Sequence, residues 1–232
     1  MEIIGICAFN EERLYQTAKK YKIPLKNIYI SKTRFDYQKM LIKLQPDGVY
    51  VIGQPEYMFD IWIWCLSNKF NLFIEKPMGI TIQQTRMLAY LARENKCITQ
   101  VSHQRRSAPI LQKMKDECMK RGPLTNAIVE FYKYDIRPMF EARDRMLDDF
   151  THSVDTARWI CGGEVVKGEK YDTKEIAGSS ELFVYGGFQN KSIEFVSSLL
   201  EGKEKTSSPF SDVLKTMEIC DTILGQAMIG FC

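Results

Sequence analysis

Histidine is scarce in this sequence, occurring only as His103 and His152, and no two cysteines stand in a CxxC pair. A structural zinc site of the finger type draws on four such ligands in paired spacing, so the pattern argues against one. No dense Lys/Arg tract interleaved with aromatics is present, and a net charge of +3 is too small to point to nucleic acid. The nearest basic run, Lys19-Lys20-Tyr21-Lys22, reads as a solvated helix end. No stretch reaches the ~18 consecutive apolar residues of a membrane span. The opening Met1-Glu2-Ile3-Ile4-Gly5 enters an apolar run without the basic leader of a signal peptide. Seven cysteines, an odd and scattered set, suggest reduced, mostly buried thiols in a cytoplasmic protein. Internal repeats and low-complexity tracts are also missing.

What is present is an ordinary globular balance, 45% apolar and 26% charged, in a chain long enough for one large domain or two small ones. Short apolar runs alternate with helical spacing. Ile3 to Ala8 is of strand length, followed by Asn10 as a helix N-cap and by Leu14, Ala18 and Tyr21 at helical intervals. Ile28-Tyr29-Ile30 reads as a strand and Phe35 to Leu44 as a helix. Gln45-Pro46-Asp47-Gly48 is a turn, and Val49 to Ile52 a further strand closed by Gly53-Gln54-Pro55. A helix through Phe59, Ile63 and Leu66 leads to the buried run Asn71-Leu72-Phe73-Ile74. A helix from Thr81 then reaches the strand Ile98 to Val101. Strands separated by helices of about a dozen residues predict a parallel sheet covered by helices on both faces.

Beyond residue 102 the pattern changes. Ser107 to Lys120 is a helix, residues 124 to 135 alternate as a long strand, and Leu147 to Ile160 is a helix stopped by Cys161-Gly162-Gly163. Leu182 to Tyr185 is a weak strand, and helices at Ser192 to Leu200 and Ser211 to Ala227 follow. The expected organisation is an α/β fold with a Rossmann-like domain over residues 1–102 and a reduced α+β domain over residues 103–232.

Two clusters can carry chemistry. Glu75-Lys76-Pro77 ends the Asn71–Ile74 run, where Pro stops sheet pairing and leaves a carboxylate and an ammonium at the carboxyl end of a strand. Such a trio is equally read as a surface ion pair before a turn. Asp148 and His152 stand at i and i+4, on one side of a helix. A carboxylate one turn before an imidazole can orient it and favour its protonated form, as a general base requires. The alternative is a first-turn acid complementing the helix dipole, beside a partly buried His152.

These residues carry a resemblance. Glu75-Lys76-Pro77, then Gln104-Arg105-Arg106-Ser107-Ala108-Pro109, then Asp148-x-x-x-His152 and Asp155-x-x-Arg158-Trp159-Ile160-Cys161-Gly162-Gly163 resemble the Gfo/Idh/MocA family, the group of glucose–fructose oxidoreductase and inositol dehydrogenase. The resemblance spans most of residues 2 to 163. It implies an NAD(P)-dependent dehydrogenase, cytoplasmic and homo-oligomeric, acting on a sugar or cyclitol hydroxyl. It further implies Lys76, Asp148 and His152 as the catalytic trio. Gln54, Pro55, Glu75 and Lys76 would face the cofactor, and Lys76, Arg106 and His152 the substrate. Arg106 also reads as a surface arginine at a helix start.

The chain departs from the family in named places. A first strand with its Gly-rich phosphate turn is missing, so the sequence is expected to begin at the family's second strand, truncated by about 25 residues, one strand–turn–helix unit. Ala8 stands where an acidic residue would meet the adenosine ribose. Strands are missing between Gly163 and Ser192, and Phe59 replaces a common His. NAD or NADP binding is therefore expected to be weak or absent. A non-catalytic paralogue, dimerising, regulatory or ligand-binding, is the competing reading. A flavodoxin-like or receiver-type regulator fits the alternation but lacks clustered acids at early strand ends.

Overall fold

A computed structural model describes residues 1–124, 126–130, 146–162 and 187–229, with the side chains of Met146, Asp148 and residues 226–229 excepted. The chain forms two compact units, Met1–Asp47 and Gly48–Cys232, so the expected boundary at 102/103 falls inside the second.

In the first unit, β1 (Ile6–Ala8) pairs parallel with β2 (Ile28–Ile30), Ile6 opposite Ile28. Helix α1 (Glu11–Lys20) starts where Asn10 was read as its cap, and the Asn10 Oδ1 accepts from the Arg13 backbone N–H at 2.8 Å. Glu11 and Glu12 occupy its first turn and Lys19 and Lys20 its last, complementing the helix dipole. Leu14 and Ala18 form its buried stripe, with Leu41 of α2 (Asp36–Leu44) also buried.

In the second unit, β3 (Val49–Val51), β4 (Leu72–Ile74) and β5 (Thr99–Val101) form a parallel sheet in that order, with β4 buried throughout. Helix α3 (Pro55–Ser67) packs on β3 and β4, and α4 (Ile82–Glu94) returns the chain to β5. The parallel ladders β1–β2 and β3–β4–β5 are of the kind that builds Rossmann-like sheets. The α/β, Rossmann-like expectation stands.

A 3₁₀ turn (Gln104–Ser107) and α5 (Pro109–Met119) follow β5. Residues 126–130 form no strand, and the remainder of the strand expected to 135 lies outside the described residues, as does the one expected at 182–185. The helix expected from Leu147 opens as a π turn (Met146–Phe150) and becomes α6 (Thr151–Cys161). Gly162, in the left-handed region at φ 68°, ends it as the sequence indicated. The last helices are α7 (Phe188–Glu201) and α8 (Phe210–Ile229), longer than their periodicity suggested.

Both late helices cover the β3–β5 sheet. Phe195 of α7 meets Tyr50 and Phe73 edge-on, with ring centroids 5.5 and 5.8 Å away, while Tyr50 and Phe73 stack at 4.6 Å. Helix α8 packs on β5, α4 and α6. Between them, residues 204–210 seal the outer edge of β5. Ser208 O accepts from Val101 N at 2.9 Å, and the hydroxyls of Thr206 and Ser208 donate to Thr99 O and Val101 O at 2.6 and 2.7 Å. Helix α7 starts at Gly187, where a Cβ would lie 2.1 Å from Gln104 O, so only glycine lets this backbone pass the 104–108 turn.

Of the six described cysteines, all free, Cys65, Cys97 and Cys220 are buried, whereas Cys118 and Cys161 are exposed. Burial of the thiols is thus less complete than their scatter suggested. Burial pushes the Cys65 and Cys220 thiols up to about 12. Among the described residues no helix is long and apolar enough to cross a membrane.

Phe195 is fully buried between two rings and cannot be replaced by solvent. Phe195→Ala is expected to destabilise the protein by about 3–5 kcal/mol, measured as a fall in the urea midpoint; a loss below about 1 kcal/mol would show that α7 does not complete this core.

Candidate active site

The carboxyl ends of β4 and β5 face the start of α6. Ile74 is the last residue of β4, so Glu75, Lys76 and cis-Pro77 occupy the strand end as the sequence indicated. Burial raises the Glu75 carboxyl, while a hydrogen bond with Ser102 and the Lys76 charge work to lower it. Glu75 and Lys76 are half-buried at this strand end.

His152, on the first turn of α6, is buried, and its ring stands at 84° to that of His103, centroid to centroid 5.7 Å. Burial pushes His152 down to about 2, with His103, Lys76 and Arg105 acting in the same sense and only Asp155 opposing. Desolvation and these neighbours favour the neutral imidazole. The Asp148 side chain lies outside the described residues, so its assigned orienting role is not visible. Lys76 acts electrostatically on Glu75, His103 and His152 alike, which brings the strand-end ammonium and the helix imidazole into one cluster.

The sequence signal missed the frame beneath them. Arg106 is not a surface arginine but 3% exposed. Its Nε and Nη2 grip Asp155 bidentately at 2.8 and 2.5 Å, and its Nη1 reaches Asp212 at 2.5 Å and Ser207 O at 2.7 Å. Four of its five N–H donors are thereby engaged. Arg158 holds the same Asp212 carboxylate, at 2.9 and 2.5 Å, and Thr216 donates to Asp155 at 3.0 Å. Burial opposes the charge on Asp212, yet the Arg158 and Arg106 guanidinium groups hold its carboxyl down at about 2. Glu194 of α7 accepts from Gln100, Ser107 and Ser207, tying that helix to β5 and to both adjoining segments. Lys191, fully buried, donates to the Ser207 and Ser208 hydroxyls at 2.8 Å each, and burial pushes it down to about 8. A lone Arg, Asp or Lys has no periodic signature; only the spacing Asp155-x-x-Arg158 hinted at this frame.

A nicotinamide dinucleotide needs a place for its ring and a place for its pyrophosphate. Both ring nitrogens of buried His103 lack a hydrogen-bond partner, beside Lys76 and His152 at the strand ends where open α/β sheets hold ligands. No described strand–helix turn offers a pyrophosphate cradle. After β1, Asn10 caps α1 itself and Glu11 and Glu12 follow; after β3, Gln54 precedes Pro55, which has no N–H to give. Gln54 and Pro55 nevertheless stand at the end of β3, as the cofactor-facing assignment requires. Among the described residues no group of three or more His, Cys, Asp or Glu could hold a metal ion.

Both histidines are neutral in the fold and charge on unfolding, where their ordinary value is 6.5. Below that pH the unfolded chain binds more protons, so stability falls as pH drops from 6.5 toward about 4, the level to which burial lowers His103. Urea midpoints are expected to decline over this window, and more gently in His152→Gln; a midpoint flat across it would contradict the buried neutral pair.

Comparison with known proteins agrees with this architecture. Residues 1–103 match the family described as "Oxidoreductase family, NAD-binding Rossmann fold", GFO_IDH_MocA. The rhizopine catabolism protein MocA of Rhizobium meliloti is 30% identical over 124 residues, covering 51% of this chain and 39% of that protein. The protein named as oxidoreductase YceM of Salmonella typhimurium is 26% identical over 118 residues, 51% of this chain and 38% of that one. The aligned part thus spans about two fifths of each relative. An aldose-aldose oxidoreductase from Caulobacter crescentus, solved with glycerol, shares the fold with a TM-score of 0.73 at 14% identity, covering 99% of this chain and 90% of that one. Over residues 1–103 the chain is thus similar to the Gfo/Idh/MocA oxidoreductase family.

Proposed function

We propose that the chain carries the catalytic cluster of an NAD(P)-dependent dehydrogenase acting on a hydroxyl of a sugar or cyclitol. The observation behind this reading is the electrostatic meeting of Lys76, at the end of β4, with His152, on α6, in a buried cluster. A nicotinamide ring, when bound, accepts the hydride. His152, held neutral, accepts the hydroxyl proton, and the Lys76 ammonium stabilises the oxygen as charge develops. Asp148 orients His152. Arg106 is assigned to the substrate side only through the frame it builds with Asp155, since its donors are spent on the protein. Residues 1–102 serve as the dinucleotide-binding part and residues 103–232 as the substrate part, in a cytoplasmic homo-oligomer.

A second reading has its own support. The self-capped, acidic start of α1 and the Pro55 start of α3 both oppose a pyrophosphate. A paralogue that binds a small ligand or a partner without redox turnover is compatible with these helix starts.

Two measurements separate these readings. Titrated with NADH or NADPH and followed by nicotinamide fluorescence, the chain is expected to show no half-saturation in the micromolar range; micromolar binding would overturn the assignment of a defective phosphate site. Where turnover of an aldose or inositol is measured at saturating cofactor, Lys76→Met is expected to lower it by about 10²–10³-fold, the scale of lost transition-state charge stabilisation. Unchanged turnover removes Lys76 from the chemistry, and no turnover in the parent chain favours the non-catalytic reading.

A further inference from the structure

His103 lies outside every family motif quoted above, yet it is the most enclosed polar side chain beside the cluster, with 0% exposure. Its backbone is fixed at the end of β5: the N–H donates to Val101 O at 2.7 Å, and its carbonyl accepts from Arg106 N at 3.2 Å. Its Nδ1 points toward Asp155, 3.6 Å from Oδ2, and its ring meets the His152 ring edge to face at 5.7 Å. A buried imidazole with two unbonded nitrogens costs stability, so its position calls for a role.

We propose that His103 is a positioning residue for His152: anchored beside Asp155, it holds the His152 ring in one orientation and takes up the first proton the pair accepts. This rests on the reading of His152 as the proton acceptor. The charges around the pair favour that division. Lys76 comes from the end of β4, Arg105 and Arg106 from the 3₁₀ turn, Lys191 from α7 and Asp155 from α6. Asp155 is the one carboxylate facing the pair among the described residues, and it lies against His103. Asp155 favours a proton on either ring and lies 3.6 Å from His103 Nδ1; Lys76 disfavours both, with Arg106 and Lys191 acting on His103 and Arg105 and the neighbouring ring on His152. Two adjacent imidazoles also resist charging together, so once His103 is protonated His152 stays neutral.

The chain contains only these two histidines, which makes the proposal directly readable. With ¹⁵N-histidine-labelled full-length protein, His103→Gln and His152→Gln assign the two sets of ring-nitrogen signals. On acidification of the parent, the His103 signals are expected to shift first, while His152 stays in a single neutral tautomer. In His103→Gln, the His152 ring is expected to protonate about one pH unit higher and to lose its single tautomer. His152 signals in that variant that superimpose on the parent throughout the titration overturn the proposal, as does a parent in which His152 protonates first. If His103→Gln does not fold, the His152→Gln variant alone assigns both sets, and the order of protonation in the parent decides. No cofactor enters this measurement. Unchanged turnover in Lys76→Met would overturn the dehydrogenase reading and leave the imidazole order standing, and the reverse holds equally.

Discussion

Two guanidinium groups and two carboxylates form the frame on which the candidate site depends. Arg106 leaves the turn after β5, Asp155 and Arg158 stand on α6, and Asp212 stands near the start of α8. Each bond is charge-assisted, and the bidentate geometry fixes direction as well as distance. Burying Arg106, Asp155 and Arg158, with Asp212 half-buried beside them, carries a desolvation cost, and removing one member would strand its partner in a low-dielectric interior. The frame therefore acts as a unit. It sets where α6 begins, and so where His152 stands relative to the end of β4.

A polar layer extends this frame. Glu194 links α7 to β5, to the 3₁₀ turn and to Ser207, while Lys191 sits behind it on the Ser207 and Ser208 hydroxyls. The site thus rests on rigid elements rather than on free loops, the arrangement that holds reacting groups in fixed geometry. Its apolar complement is the Tyr50, Phe73 and Phe195 cluster on the same second unit.

Much of this was legible in the sequence, for reasons that can be named. Alternation of short apolar runs with amphipathic stretches located the five strands of the described residues, and the continuous run is explained by burial on both faces for β4 and β5. Asn10, Thr81 and Gly162 marked helix ends through side-chain and backbone chemistry that is local. Glu75-Lys76-Pro77 was placed at a strand end because Pro breaks a ladder. What escaped was long-range. Arg106 meets Asp212 across 106 positions, and Gln100 meets Glu194 across 94, separations with no sequence period. The i, i+4 spacing of Asp148 and His152 likewise reveals a carboxylate but not the burial and the basic groups that act on His152. The expected boundary at 102/103 followed the change of pattern, whereas compactness follows α7 and α8, which fold back over the sheet from the far end of the chain.

The hydroxyl-lined strap over β5 has a wider consequence. Thr206 and Ser208 occupy carbonyls of the outermost strand, while the Ser208 and Glu204 oxygens take its outward N–H groups. A strand from another molecule finds no vacant ladder there, so templated growth of fibrils or exchange of strands between copies is blocked on that side of the sheet.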